Sequence, residues 1–192
     1  MHRVTKGSFG YITSQRRFMT LITVLLFAAA LGIYFLALSL LGTNQNWFTI
    51  LAVLLLLPGA RYLASTVMFY RAKECPQEVH REVEARIGEL SGAYDLYMTT
   101  EGSNTCYAIA HLAVRGKNIA ALSVDPECDA KAGEAHIRKM LLANGFHGYT
   151  VKIFTNMKSY GARLAQLNRL EPDAEAERRK DGVLSLMKAI SI

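Results

Sequence analysis

The distribution of charge along the chain is the feature that most restricts its fold. Every acidic residue lies at or after Glu74, and the 73 residues before it contain two long apolar stretches. The first, Phe18 to Leu41, has no charged residue in 24 positions, so as a helix it is long enough to cross the roughly 30 Å hydrocarbon core of a bilayer. The second, Trp47 to Tyr70, is nearly as apolar but contains Pro58 and Arg61. The sequence therefore predicts a hairpin of two transmembrane helices, 18–41 and 47–70.

The net charge of +6 belongs mostly to this first part of the chain. Before residue 71 there are five cations and no anions, whereas from Arg71 onward 17 Lys and Arg residues face 16 Asp and Glu residues. A nearly neutral domain gives little electrostatic reason to bind nucleic acid. We therefore expect the lipid bilayer to be one partner, and we predict no nucleic-acid partner.

Cations flank the two apolar stretches on the same side of the predicted hairpin. Short segments rich in Lys and Arg stay in the cytoplasm, so residues 1–17 are predicted to form a basic cytoplasmic arm. Both termini then face the cytoplasm of a bacterial-type cell, on the inner side of its inner membrane. The short uncharged connector 42–46 joins the two helices on the other side. A cleaved signal peptide is the alternative for the first stretch, but its 24 residues exceed the apolar core of about 7–15 residues in such peptides. The predicted membrane-interface residues are Arg16, Arg17, Trp47, Arg61, Tyr70, Arg71 and Lys73.

Arg61 is the charged residue within the second stretch, and it has three interpretations. Its long side chain reaches toward the cytoplasmic interface, or Pro58 and Gly59 kink or end the membrane segment and Arg61 to Tyr70 form an interfacial helix. The third interpretation is a functional charge inside the membrane. We favour the first two, because functional charges at such positions are rare.

The rest of the chain alternates between helical and strand patterns. Helices are predicted from Pro76 to Leu90, from Asp125-Pro126-Glu127 to Leu142 or Asn144, and around Tyr160 to Leu170, where Pro172 ends the helix. Strands are predicted from Tyr94 to Thr99, Thr105 to Val114, Ile119 to Val124 and Tyr149 to Thr155, with a turn at Glu101 to Asn104. The prediction is a cytoplasmic α/β (α+β) domain, residues 71–172, in the order α-β-β-β-α-β-α with a four-stranded mixed sheet. A helical tail, residues 173–192, carries an apolar stripe from Val183 to Ile190 that belongs either to the core or to a docking surface.

This order of elements resembles the core of the restriction-endonuclease-like superfamily, which includes the nuclease-related domains of some bacterial membrane proteins. The resemblance covers roughly Pro76 to Leu170 and is one of topology. It implies carboxylates and an Asp/Glu-x-Lys motif that bind Mg²⁺ and activate water for phosphodiester cleavage. Asp95, Asp125 and Lys131 are the residues that would take these roles here. The motif itself is degenerate, since the segment Leu122 to Glu127 lacks the lysine.

Two further observations bear on catalysis. The three cysteines have no metal-ligand spacing and are predicted to be free thiols in the cytoplasm. His111 is predicted to be a core or edge histidine, and His80, His136 and His147 are predicted to lie on the surface. We therefore expect a non-catalytic module that binds a protein partner or a second copy of itself, without a cofactor. The alternative is a membrane-tethered, nuclease-like domain that binds or weakly cleaves nucleic acid, with Mg²⁺ as its cofactor.

Overall fold

The structure is a computed structural model that describes residues 4–43, 46–99, 106–171 and 173–192. The chain divides into two compact units, one containing residues 12–72 and the other containing residues 73–192 together with the N-terminal residues up to Tyr11. The elements are α1 (Tyr11–Leu41), α2 (Trp47–Arg71), α3 (Gln77–Ile87), β1 (Ser91–Thr99), β2 (Cys106–Arg115), β3 (Asn118–Ser123), α4 (Ala130–Ala143), β4 (Thr150–Phe154), α5 (Met157–Asn168), α6 (Ala174–Arg178) and α7 (Lys180–Ile190).

Helices α1 and α2 are both long and apolar enough to span a membrane. Helix α1 begins at Tyr11, before the predicted Phe18, and so includes Arg16. Arg16 is accommodated because its guanidinium donates hydrogen bonds to the carbonyl oxygens of Phe69, at 3.2 Å, and Ala72, at 3.1 Å. These bonds satisfy carbonyls at the end of α2, where a cation also complements the helix dipole.

Helix α2 continues through Pro58 to Arg71. Pro58 and Gly59 therefore lie within one continuous helix. Gly59 provides a close approach, since a Cβ atom there would lie 3.3 Å from the ring of Phe27 in α1. Small residues at such a crossing allow helix backbones to pack tightly.

The second unit is built on one mixed sheet with the strand order β1-β2-β3-β4. Strands β1, β2 and β3 form an antiparallel meander, and β4 pairs with β3 in parallel after the crossover through α4. The free edge of β1 is covered by both ends of the chain. The amide of Tyr94 donates to the carbonyl of Gly7, and the amide of Ile192 donates to the carbonyl of Tyr97, each at 2.8 Å. This covering removes an exposed sheet edge.

Helices cover both faces of the sheet. One core lies between the sheet and helices α4 and α7 and includes Ile137, Leu141 and Met187. The other lies between the sheet and helices α3 and α5 and includes Val83 and Leu164. Burial on both faces explains why β2 is almost continuously apolar.

Helices α6 and α7 follow α5 and form the predicted helical tail, so the complete order is longer than α-β-β-β-α-β-α. Of the two alternatives for the stripe from Val183 to Ile190, the structure shows the core, where Val183 and Met187 are fully buried. The start of one helix differs from the prediction. Helix α4 begins at Ala130 with Asp129 as its N-cap, not at Asp125, because the Asp129 carboxylate accepts the amide of Ala132. The predicted turn at 101–104, Thr105, Pro172, and Asn44 and Gln45 of the connector lie outside the described residues.

Candidate functional site

Asp95 joins the two chain segments that flank the helical hairpin in sequence. Its side chain is 1% exposed. One carboxylate oxygen, Oδ2, accepts the backbone amide of Gly10, immediately before α1, at 2.8 Å. The other, Oδ1, accepts the backbone amide of Cys75, four residues after α2, also at 2.8 Å. We call this arrangement of Asp95, Gly10 and Cys75 the Asp95 clasp.

The backbone at Asp95 has an unusual conformation that positions this carboxylate. Its φ of +54° is the only positive φ at a non-glycine residue in the part of the chain that the structure describes. Asp tolerates the left-handed region better than most residues, although it still costs energy that the surroundings must offset. Two charge-assisted hydrogen bonds to buried amides offset such a cost. Lys6 adds a further connection, because its ammonium donates to the carbonyl of Ser191 at 2.6 Å.

A row of aromatic and histidine rings lies beside the clasp. Phe9 stacks on His80 with a centroid distance of 3.9 Å, and His80 meets the edge of Tyr94 at 4.8 Å. Tyr94 in turn contacts His111 at 4.4 Å. The predicted basic arm therefore packs on the domain through Phe9. His80 is partly buried, in contrast to its predicted surface position.

His111 lies at the inner end of this row and is fully buried. Its Nδ1 atom forms a 2.6 Å hydrogen bond with the hydroxyl of Tyr160. Its Nε2 atom has no hydrogen-bond partner among the described residues and faces Gly92, where a Cβ atom would lie only 2.5 Å away. Burial lowers the pKa of His111 to about 3, with a smaller contribution from His80, so the ring is neutral at physiological pH. His111 is a core histidine, as predicted.

The three cysteines are free thiols. Cys75 is buried beside the clasp, and burial, assisted by the charge of Asp95, raises the pKa of its thiol to about 12. A thiol with such a pKa is a poor nucleophile at neutral pH. Burial also raises the pKa of Cys128. These environments favour a structural role for both thiols.

The residues implied by the nuclease resemblance have different surroundings. Both oxygens of Asp95 accept main-chain amides in the clasp. Asp125 pairs with Lys73 at 2.6 Å, which holds the pKa of that carboxyl below its usual value. Lys131 is exposed in the first turn of α4. Among the described residues, no group of three His, Cys, Asp or Glu side chains is placed to hold a metal ion.

The predicted membrane-interface residues are mostly exposed in the structure. Arg16 is the partly buried member, and its guanidinium also lies 5.3 Å from the ring centre of Tyr70. Trp47 is 76% exposed at the start of α2. The exposed members are Arg17, Trp47, Arg61, Tyr70, Arg71 and Lys73.

Sequence reasoning missed two features of this unit. Asp95 lies in the predicted strand from Tyr94 to Thr99, and the other four residues from Tyr94 to Met98 are apolar or aromatic and buried. An acid within such a run is the signal that marks a special role. His136, predicted to lie on the surface, is 8% exposed and stacks near Tyr107.

Comparison of the chain with protein-family models, curated proteins and solved structures finds no match. The function is therefore argued from the geometry described above.

Proposed function

We propose that this chain is a membrane-anchored, non-catalytic interaction module, in which α1 and α2 hold the α/β domain at the cytoplasmic face of the inner membrane. The observation that supports it is the Asp95 clasp. One carboxylate binds both segments flanking the hairpin, within one residue of the start of α1 and four residues of the end of α2. Burying a charge for this purpose is costly unless both bonds form.

The Asp95 clasp orders the segments on both sides of the hairpin, so neither segment has the character of a flexible linker. A freely tethered enzyme needs no such clasp, because a Gly/Ser-rich linker lets it search for substrate. A module that presents a fixed surface to a protein partner, or to a second copy of itself, benefits from restraint, because less freedom is lost on binding.

The anchor and its orientation are tested on the full chain. We expect the chain to stay with the membrane after alkaline extraction. Of two reporters fused after Ile192, we expect the one that functions in the cytoplasm to be active and the one that functions in the periplasm to be inactive. A periplasmic reporter signal at that end, or release by extraction, contradicts the proposal.

The interaction role is tested by photo-crosslinking from exposed positions of the α/β domain in cells. We expect a discrete crosslinked product that contains either a protein partner or a second copy of the chain. The alternative nuclease-like function is tested on the same purified protein by cleavage of DNA and RNA with Mg²⁺. Cleavage that is lost in Asp125→Ala supports the nuclease, and crosslinking without cleavage supports the interaction module.

A further inference from the structure

Helices α3 and α5 border an open groove of about 630 Å³ on the surface of the α/β domain. Three cationic side chains line it, Arg86 from α3 and Lys158 and Arg169 from α5 and its C-terminal end. Its floor contains the small residues Gly161, Ala162 and Ala165. We call these six residues the basic groove.

The spacing of the α5 residues places them on one side of the helix. Positions 158, 162, 165 and 169 follow each other at intervals of four, three and four, which is one face of an α-helix. The opposite face carries Tyr160, Leu164 and Leu167, which are fully buried. Lys158 and Arg169 are about 16 Å apart along the helix axis, with two exposed alanines between them. This surface is apolar at its centre and positive at its ends.

Arg86 is held in place at the side of this surface. A Cβ atom at Gly161 would collide with the Arg86 guanidinium, so the absence of a side chain there lets Arg86 lie against α5. The carbonyl of Arg86 also accepts the side-chain amide of Asn168 at 3.1 Å. A positioned guanidinium offers paired donors that match the oxygens of a phosphate group.

The charges of the basic groove are available to a ligand. Arg86 has a long contact of 3.9 Å with Glu82 and is 45% exposed. Lys158 and Arg169 are exposed and form no ion pair with any described residue. Lys117 and Lys152, by contrast, pair with acids. No acidic residue lines the groove.

We propose that the basic groove binds the phosphate group of an anionic ligand, whose uncharged part rests on Ala162 and Ala165. Two sources supply this chemistry, an anionic phospholipid headgroup or a soluble phosphate ester. The inference concerns the α/β domain alone and does not depend on the proposed interaction role. Phosphate is favoured over a single carboxylate because three cations, of which Arg86 alone has a described acidic partner, Glu82 at 3.9 Å, match a ligand that carries more than one negative charge.

The test uses the full chain in nanodiscs and follows hydrogen exchange of the segment 157–168. Glycerol 3-phosphate is added to phosphatidylcholine nanodiscs, and separately phosphatidylglycerol is included in the lipid. We expect protection of α5 in one of these two arms, which identifies the source as soluble or lipid. Both ligands carry the same phosphate group. Protection by either one therefore supports the proposal, provided that the protection depends on the residues of the basic groove.

Matched variants establish that dependence. Lys158→Gln/Arg169→Gln removes two charges from the groove, and Lys131→Gln/Lys139→Gln removes two exposed charges from α4. We expect the first variant to weaken the protecting interaction about 30-fold and the second to leave it within about twofold, because each cation near an anionic group contributes about 1 kcal/mol. Equal weakening by both variants shows a general charge effect and overturns the proposal.

A second pair of variants keeps the number of cations constant. Ala165→Glu places a carboxylate in the groove, whereas Ala135→Glu places one on an exposed position of α4. Both substitutions suit an exposed helix, so loss of protection in Ala165→Glu alone supports the phosphate site. Absence of protection in both arms, or protection by a DNA duplex alone, overturns it.

Discussion

Replacement of Asp95 by Asn tests the clasp with little change in shape. Asn tolerates the left-handed backbone conformation about as well as Asp, so the substitution isolates the carboxylate. Its amide nitrogen cannot accept a hydrogen bond, so one of the two backbone amides at 2.8 Å loses its acceptor. The other bond becomes a neutral one. We therefore expect the segment that contains Cys75 to be released more easily.

The magnitude follows from the two bonds. A hydrogen bond to a charged group contributes about 1.5–3 kcal/mol, and a neutral one about 1 kcal/mol. The substitution also removes a buried charge and so relieves its desolvation cost. The free energy lost with one bond and with the weakening of the other is larger than this gain. A net change of about 2 kcal/mol corresponds to roughly 30-fold more frequent opening.

The reaction of Cys75 with a maleimide reports this opening. Because the chain has three cysteines, Cys106→Ser and Cys128→Ser leave Cys75, which is 4% exposed, as the reacting thiol. We expect Asp95→Asn to increase the labelling rate of the full chain in detergent roughly 30-fold. The matched control is Asp181→Asn, which makes the same change at an exposed position. If both variants are labelled at the same rate, the reasoning about the clasp is wrong.

Three further predictions concern the buried rings, and each is measured by thermal unfolding of the full chain in detergent. Gly92→Ala should lower the stability by about 2–4 kcal/mol, as overpacking does, because the new Cβ atom would lie 2.5 Å from Nε2 of His111; an unchanged melting temperature refutes this. Tyr160→Phe should destabilise by about 1–3 kcal/mol, because His111 loses its 2.6 Å hydrogen bond, whereas Tyr149→Phe should be neutral or stabilising, because its buried hydroxyl has no partner among the described residues. The pKa of His111 is about 3 in the folded protein, below the unfolded value of about 6.5. Its contribution to the free energy of unfolding is therefore complete above about pH 6.5. That contribution is lost as the pH falls toward 3, at up to about 1.4 kcal/mol per pH unit. His111→Asn should flatten this dependence, and an unaltered slope contradicts it.

The arrangement of elements was largely predictable because it depends on local patterns. Apolar spacing identified both long helices and the four strands, since burial of one face repeats every 3.6 or two residues. The exact start of α1 was not predictable, because Arg16 stays within the helix by bonding to carbonyls 53 and 56 residues away. Asp129 replaced Asp125 as the cap of α4 because Asp125 accepts the amide of Glu127 and pairs with Lys73.

The candidate sites were less predictable because each joins residues that are distant in sequence. Asp95 binds amides 85 and 20 residues away, and no local pattern encodes such a pair. The spacing of Lys158 and Arg169 on α5 is visible in the sequence, but the position of Arg86 beside Gly161 depends on how α3 and α5 pack. Long-range packing is therefore what sequence patterns leave undetermined here.

The covering of the β1 edge by both ends of the chain has a consequence for biosynthesis. Lys6 and Ser191 are 185 residues apart, so their contact forms only after residue 191 has left the ribosome. By then α1 and α2 have already been made, and Gly10 and Cys75 must be brought to the same carboxylate. A hairpin whose ends are held apart prevents this closure and leaves the β1 edge open to other chains. Formation of the Asp95 clasp therefore requires the segments before α1 and after α2 to come close to each other.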